Sequence, residues 1–572
     1  MRTILTVILL CLCTLARAQQ QSLYIYQADP LEKILKDRAY FKDEVDTIRV
    51  ARGETASVQL VLKARQELEK VEASLEAPSN GNFKLQNGEA GWLGYVKVNR
   101  KYDPPSRDLI RSPSDYFPDP ILTDTAVSME QGAVQPLWIT IPVPVSAEPG
   151  LYKGTALITA GSGRKAARYR KDFYIRVYPV TVAKTSLLIS NWSAHFSPEA
   201  LAYMNNGVPV ESYSPLYWEF LKKHAAIMAA HGQNVHRIYP VWMTRYSLQN
   251  GRFSFDFSMF DKEAEIFEAA GALERLEGGH LAWRSGAWDE PFYVEIPVPD
   301  TEANRKLQPS PAPVKVNNGM RLVKVPLEDP RVKEFYDQFL PALKEHLEQK
   351  GWLHKYMQHI ADEPVPKNAD SYQAISAYVK KYLPGVKIFD AVLTSKELAG
   401  AIDVWVPVLD VLHRDFDFYK GLQQKGKEIW FYTCVGPRGN YANRFIEQPL
   451  LQTRYLHWIN YKYNVTGYLH WGLNYWTGFK DPFGEAARDR GRLPAGDCFI
   501  IYPGYHKLYS SIRFEAMRDG IYDYELLKML EKKNAARAKA MAGDIIANFN
   551  QYDGSVSYFR QVRKNLLEAL AD

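Results

Sequence analysis

The residues of this chain best suited to chemistry are the adjacent acids Asp362 and Glu363, followed by Pro364. They close the apolar run Tyr356–Ala361, which reads as a short buried strand. Neighbouring side chains on a strand point to opposite faces. Two adjacent carboxylates can therefore share a substrate only where the pleat ends, at the strand's carboxyl edge. Two carboxyl groups in different environments, one protonated and one ionised, supply the proton and the charge stabilisation that glycoside cleavage needs. The bland alternative is a helix N-cap carboxylate with a solvated neighbour. Asp-Glu-Pro occurs again at Asp289-Glu290-Pro291, directly after Trp288, but no apolar strand leads into that copy. Strand-end position therefore assigns the chemistry to Asp362 and Glu363.

The adjacency bears on mechanism. An ordinary retaining pair lies roughly 5 Å apart across the sugar ring, usually on different strands. Adjacent acids fit another scheme better, in which the substrate's own 2-acetamido oxygen attacks the anomeric carbon. Glu363, with the longer reach, is then the general acid/base, and Asp362 orients the acetamido group and stabilises the oxazolinium. Substrate-binding candidates at or after strand ends are Trp192, Tyr239, Trp242, Asp390, Tyr432, Trp471, Asn474, Tyr475 and Trp476. Each alone reads equally well as barrel core or loop packing, but the cluster from Trp471 to Trp476 stands out. His195, His236 and His359 lack a metal-ligand spacing, so neither a metal nor a cofactor is expected.

Elements at regular intervals must position these residues. Residues 19–182 read as an all-β sandwich of short β-branched and aromatic runs punctuated by Gly, Pro and Asn. From residue 183 to 534, short apolar runs alternate with helical periodicity. Strands are predicted at Leu187–Asn191, Val235–Pro240, His280–Arg284, Tyr356–Ala361, Lys387–Val392, Val404–Leu409, Glu428–Thr433 and Gly467–Trp471. Helices are predicted at 213–231, 257–275, 329–349, 370–383, 414–425, 447–462 and 511–533, with a weak one near 395–402. Eight strand-then-helix units are the pattern of a (β/α)8, TIM-type barrel, whose active site lies at the carboxyl face. Two long segments, 285–327 and 472–510, leave that face as loops. Residues 535–572 read as a helical extension.

Bulk properties narrow the function classes. Residues 1–18 read as a signal peptide, with an apolar run from Ile4 to Leu15 and an Ala16-Arg17-Ala18 cleavage site, so export to the periplasm or beyond the cell is expected. Two of the 4 cysteines, Cys434 and Cys498, lie beyond that segment, too few for a disulfide scaffold or a cysteine-rich zinc site. The net charge of +6 is interspersed rather than gathered into a stripe, which argues against a nucleic-acid partner. No later segment is apolar enough to insert stably in a membrane. The 13 Trp and 36 Tyr suit both a large aromatic core and sugar-ring platforms.

Several motifs together resemble glycoside hydrolase family 123. The strand ending Ala361-Asp362-Glu363-Pro364 is similar to that family's catalytic strand. Tyr502-Pro503-Gly504, and the segment carrying Ser511, Arg513, Glu515, Arg518, Asp519, Gly520, Asp523, Tyr524 and Glu525, resemble its C-terminal signature. Arg52-Gly53-Glu54 with Gln59, and Pro149-Gly150 with Tyr152 and Gly154, resemble its N-terminal sandwich. The resemblance implies an exo-acting β-N-acetylgalactosaminidase that releases terminal N-acetylgalactosamine, as from glycosphingolipid-type glycans, by a substrate-assisted retaining mechanism. It places the oxazolinium-stabilising Asp and the acid/base Glu on Asp362 and Glu363. The charged signature residues fall on one helix at spacings of three and four, which predicts a structural ion-pair network. Two rival readings are a glycosidase for another sugar that uses a second carboxylate such as Asp390, and a non-catalytic glycan-binding protein.

Overall fold

The computed structural model describes residues 22–572 apart from 40–41, 87, 100–104, 112–114, 124, 162, 164–165, 195–197, 313–315, 318, 394–395, 477–480 and 485–492. The expected signal peptide and His195 lie outside the described residues. The chain divides into two compact units: residues up to Gly94 with Ile121–Pro179, and Tyr95–Pro120 with Val180–Asp572. The segment Tyr95–Pro120, read from sequence as sandwich, thus belongs to the second unit, as do residues 535–572.

The N-terminal strands form two five-stranded sheets. One has the order Leu23–Ala28, Thr55–Ala64, Val134–Pro142, Glu89–Val98 and Asp115–Leu122. The other runs Ile48–Arg52, Ala167–Thr181, Gly150–Ala160, Leu68–Ser79 and Val127–Met129. Alternate residues point inward, so Val58, Leu60, Ile139, Ile158, Phe173 and Ile175 share one core. Three strands escape a reading by composition. Leu68–Ser79 is studded with acids on its outward face, and Val127–Met129 is only three residues long. Asp115–Leu122 contains Pro118 and Pro120, which its place at the end of the sheet tolerates.

The second unit contains a closed barrel of eight parallel strands: Leu188–Asn191, Val235–Ile238, Arg275–Gly278, Tyr356–Gln358, Lys387–Val392, Val404–Pro407, Glu428–Thr433 and Gly467–His470. The first and last pair in register from Leu188↔Gly467 to Asn191↔His470, which closes the ring. Helices Pro215–Ala230, Ser258–Ala270, Pro330–Gln349, Ala369–Tyr382, Phe416–Gln424, Leu450–Lys462 and Ile512–Lys533 follow strands, while the weak fifth helix is only the 3-10 turn Lys396–Leu398. Side-chain oxygens of Ser214, Asp329 and Ser511 cap three of these helices. Among the described residues, no helix is long and apolar enough to cross a membrane.

The third strand is a correction. It lies at Arg275–Gly278, not at His280–Arg284, and the helix expected over 257–275 stops at Ala270, where Gly271 adopts φ 80°. Two charged residues within four, Arg275 and Glu277, hid this strand. Ala282–Arg284 instead opens a separate antiparallel sheet with Phe292–Pro299 and Met320–Val325. The expected loop 285–327 is therefore largely sheet.

The C-terminal signature is structural. Helix Ile512–Lys533 lies so close to Leu450–Lys462 that a Cβ on Gly520 would sit 2.5 Å from the Arg454 carbonyl oxygen. Buried charges surround this contact. Asp523 accepts from Arg454 at 2.7 and 3.0 Å and from Arg563 at 2.8 Å. Arg518 pairs along its own helix with Glu515, at the expected spacing of three, and with its neighbour Asp519. Arg513 does not; its guanidinium grips Asp119 with two bonds of 2.8 Å. Glu525 accepts the Ser186 N–H at 2.5 Å, at the entry to the first barrel strand.

Candidate active site

The fourth barrel strand ends at Gln358, three residues earlier than the sequence predicts, but backbone bonds continue beyond it. The His359 N–H donates to Gly278 at 3.0 Å, and the Ile360 carbonyl accepts from Leu281 and Ala282 at 3.1 and 3.0 Å. Asp362 and Glu363 follow, both half-buried. Glu363 has φ 44°, a left-handed conformation that costs a non-glycine residue roughly 1–2 kcal/mol. Arg284 secures this turn by donating from Nη2 to the Glu363 carbonyl at 2.8 Å. The break in the pleat accounts for how neighbouring carboxylates serve one site.

The two acids stand in different fields. Burial pushes the Glu363 carboxyl up to about 7, the Asp362 charge adds to this, and a hydrogen bond from Tyr432 with the Arg284 charge opposes it. Burial also raises Asp362, against the pull of Arg284, His359 and Arg237. The three cations oppose burial at Asp362 without reversing it, while burial and the Asp362 charge let Glu363 hold its proton near neutrality. The pair matches the separation of roles that acid-assisted cleavage needs.

Beneath the pair lies a buried charge relay. His359 Nδ1 is 2.6 Å from Asp390 Oδ1 and Nε2 is 2.5 Å from Glu277 Oε1. Burial disfavours the imidazolium, yet the two carboxylates outweigh it and lift His359 to about 9. Glu277 also accepts from Ser190 at 2.8 Å and from the Trp192 indole at 2.6 Å. Asp390 accepts the Ile360 N–H at 2.9 Å and the Tyr372 hydroxyl. His280 Nε2 lies 3.9 Å from Asp390, so His280, His359 and Asp390 approach a metal-ligand spacing. They do not suit a cation, because both His359 nitrogens are engaged and the ring is charged.

This relay carries a stability prediction. His359 has a folded pKa above its usual 6.5, so its contribution is complete below about 6.5 and is lost as pH rises through about 9. Melting temperature should therefore fall between pH 7 and 9, and His359→Gln should flatten that slope. The variant should also lose about 3–5 kcal/mol in denaturant unfolding, because it leaves two buried carboxylates facing each other. An unchanged unfolding midpoint would sink this account.

The candidate binding residues separate into groups. Trp192, buried, has the Arg237 guanidinium 3.9 Å from its ring centroid. Tyr239 stacks on Trp242 at 3.7 Å and 7°, and Trp283 lies nearly parallel beside both rings, 6.2 Å from Tyr239 and 5.8 Å from Trp242. A Cβ on Gly279 would meet the Tyr239 ring at 2.2 Å, so this glycine lets the ring lie on the strand end. Glu295 anchors the stack, accepting from the Trp242 indole at 2.8 Å and the Trp283 indole at 3.5 Å. Tyr432 donates to Glu363. Trp471 donates to Asp497 at 3.2 Å and meets Tyr475 edge-on at 5.3 Å.

Three candidates are buried and held by internal partners. Asp390 is fully buried below the pair. Asn474 is buried and accepts the Ala194 N–H at 2.9 Å, and Trp476 is buried with its indole on the Ile501 carbonyl at 3.2 Å. Both act as loop ties. His236 is also internal, 2.8 Å from Glu263 and stacked on Phe267. Cys434 and Cys498 form no disulfide.

Sequence reasoning missed Arg237, Glu277, Arg284, Trp283 and Glu295. A signal existed for the first two, since a charged residue within a four-residue barrel strand needs a partner. The partners themselves come from other strands and from the inserted sheet, so spacing does not reveal them.

A closed parallel barrel with an acid pair poised at one strand end defines a glycosidase-type site. The chain belongs to glycoside hydrolase family 123. The description "Glycoside hydrolase 123, catalytic domain" matches residues 195–530, and "Glycoside hydrolase 123 N-terminal domain" matches residues 36–160. Among solved structures, the chain is similar to a family 123 glycoside hydrolase from Clostridium perfringens, studied for the details of glycolipid glycan hydrolysis. The two share 18% identity over 96% of this chain and 97% of that one, with a TM-score of 0.70, and so share a fold. An endo-β-1,4-mannanase from Thermotoga petrophila matches at 12% identity over 59% of this chain and 76% of its own, with a TM-score of 0.34. A β-glucuronidase from Parabacteroides merdae matches at 9% identity over 81% and 50%, with a TM-score of 0.31. No curated protein matches the chain.

Proposed function

We propose that the chain is an exported exo-β-N-acetylgalactosaminidase with a TIM-type catalytic barrel. Its substrates are glycans ending in N-acetylgalactosamine, including glycolipid headgroups. The observation that carries this reading is the left-handed turn at Glu363, which brings adjacent acids to one site while Arg237, Arg284 and His359 surround Asp362 with positive charge. The name of the Clostridium perfringens relative supports the glycolipid class.

The mechanism follows from these positions. Glu363 gives its proton to the leaving oxygen as the acetamido carbonyl oxygen attacks the anomeric carbon. The Asp362 carboxylate accepts a hydrogen bond from the acetamido N–H and stabilises the positive charge of the oxazolinium. Glu363, now ionised, takes a proton from water, which attacks the anomeric carbon and reopens the ring. Two inversions give net retention. Tyr432 orients the Glu363 carboxyl throughout. The rival that uses Asp390 as a second carboxylate has less support, because Asp390 spends both oxygens on internal partners.

The test is hydrolysis of paired aryl β-glycosides of N-acetylgalactosamine, N-acetylglucosamine and galactose by the mature chain. Release from the N-acetylgalactosaminide alone is expected. Release from plain galactoside would reject acetamido participation. Expression of the full-length chain checks export, since the secreted product should lack residues 1–18 and begin at Gln19.

A further inference from the structure

We propose that Trp288 is the platform of an aglycone subsite, where it stacks the sugar ring attached to the leaving oxygen. The proposal rests on Glu363 being the acid/base. A general acid faces the leaving oxygen, so the first aglycone ring must lie on the Glu363 side of the cleft.

Trp288 is 51% exposed and is the only exposed tryptophan among the described residues. Single exposed aromatics are ordinary on a protein surface. This one is held rigidly against the catalytic turn. The Arg284 guanidinium lies 3.7 Å from its ring centroid. That same guanidinium donates from Nε to the Trp288 carbonyl at 2.7 Å and from Nη2 to the Glu363 carbonyl at 2.8 Å. From the other side, Asn368 Nδ2 reaches the Trp288 and Glu290 carbonyls at 3.3 and 3.2 Å.

The repeated Asp289-Glu290-Pro291 thereby acquires a role without catalysis. Asp289 pairs with Lys367 at 2.5 Å, and Glu290 accepts the Ser285 hydroxyl at 3.1 Å. Both ties hold the loop that presents Trp288 beside the segment following the acid/base. A preorganised aromatic face next to a guanidinium suits a neutral hexose. The Arg284 guanidinium covers one face of the indole, so the C–H face of the sugar ring lies on the other.

Two substrates separate this subsite from the sugar assignment. One is N-acetylgalactosaminyl β-fluoride, whose leaving group has no ring. The other is N-acetylgalactosamine β-linked to galactose. Trp288→Ala should lower kcat/KM on the disaccharide about tenfold and on the fluoride by less than about twofold, and Trp288→Tyr should restore most of the difference. Equal effects on both substrates, or no effect on either, would overturn the proposal. Calorimetric binding of the disaccharide to Glu363→Gln, with and without Trp288→Ala, gives a second readout. Binding that is indifferent to Trp288 sinks the subsite alone. No binding to Glu363→Gln sinks the subsite and the sugar assignment together.

Discussion

Asp362→Asn is expected to reduce turnover roughly 10²–10³-fold on natural glycans and on activated aryl glycosides alike. In the proposed mechanism Asp362 acts on the acetamido group rather than on the leaving oxygen. Every substrate must pass through the same oxazolinium, so leaving-group chemistry cannot compensate. An amide retains the size of the carboxylate but loses its charge, and it leaves Arg237, Arg284 and the His359 imidazolium without their counter-charge at that position. The variant should fold, since Asp362 is half-buried at the end of a strand rather than in the core. Activity equal to wild type in steady-state assays would remove Asp362 from the mechanism.

Glu363→Gln should separate the two substrate classes instead. Turnover on natural glycans, with poor leaving groups, should fall roughly 10²–10⁴-fold, whereas aryl glycosides that leave without a proton should lose much less. Added azide should rescue the aryl reaction and yield the β-glycosyl azide, because the small anion needs no general base. The pH profile supplies an independent readout. Glu363 must be protonated to act as acid, and its pKa is pushed up to about 7, so wild-type kcat/KM on natural glycans should decline as pH rises through about 7. The variant should lose that alkaline limb. If the limb persists unchanged, another group is the acid.

Much of this site is legible in the sequence for a local reason. The strand Tyr356–Gln358 is fully buried, the acids follow it within five residues, and proline ends the run. Helices such as Pro330–Gln349 and Ile512–Lys533 repeat apolar residues at helical spacing, and their caps are local side chains. The strands that escaped detection break such rules. Arg275–Gly278 carries two charges, and the buried one, Glu277, is satisfied only by the distant residues Ser190, Trp192 and His359. Leu68–Ser79 alternates with acids, and Asp115–Leu122 carries prolines that only an edge position allows. The inserted sheet of Phe292–Pro299 and Met320–Val325 was read as loop because of its prolines and flanking glycine and asparagine.

The sequence by itself determined the alternation of strands and helices, the strand end that bears Asp362 and Glu363, and the type of chemistry two adjacent acids can perform. Those properties depend on neighbours in the chain. Tertiary structure alone decided the state of each acid. Arg237 and Arg284 come from the second barrel strand and the inserted sheet, and Tyr432 comes from the seventh strand. It also gave Asp390 the internal partners His359, Ile360 and Tyr372, and tied the second Asp-Glu-Pro to Lys367 beside Trp288. The physical reason is that burial and Coulomb interactions depend on distance in space, which residue spacing along a chain does not encode.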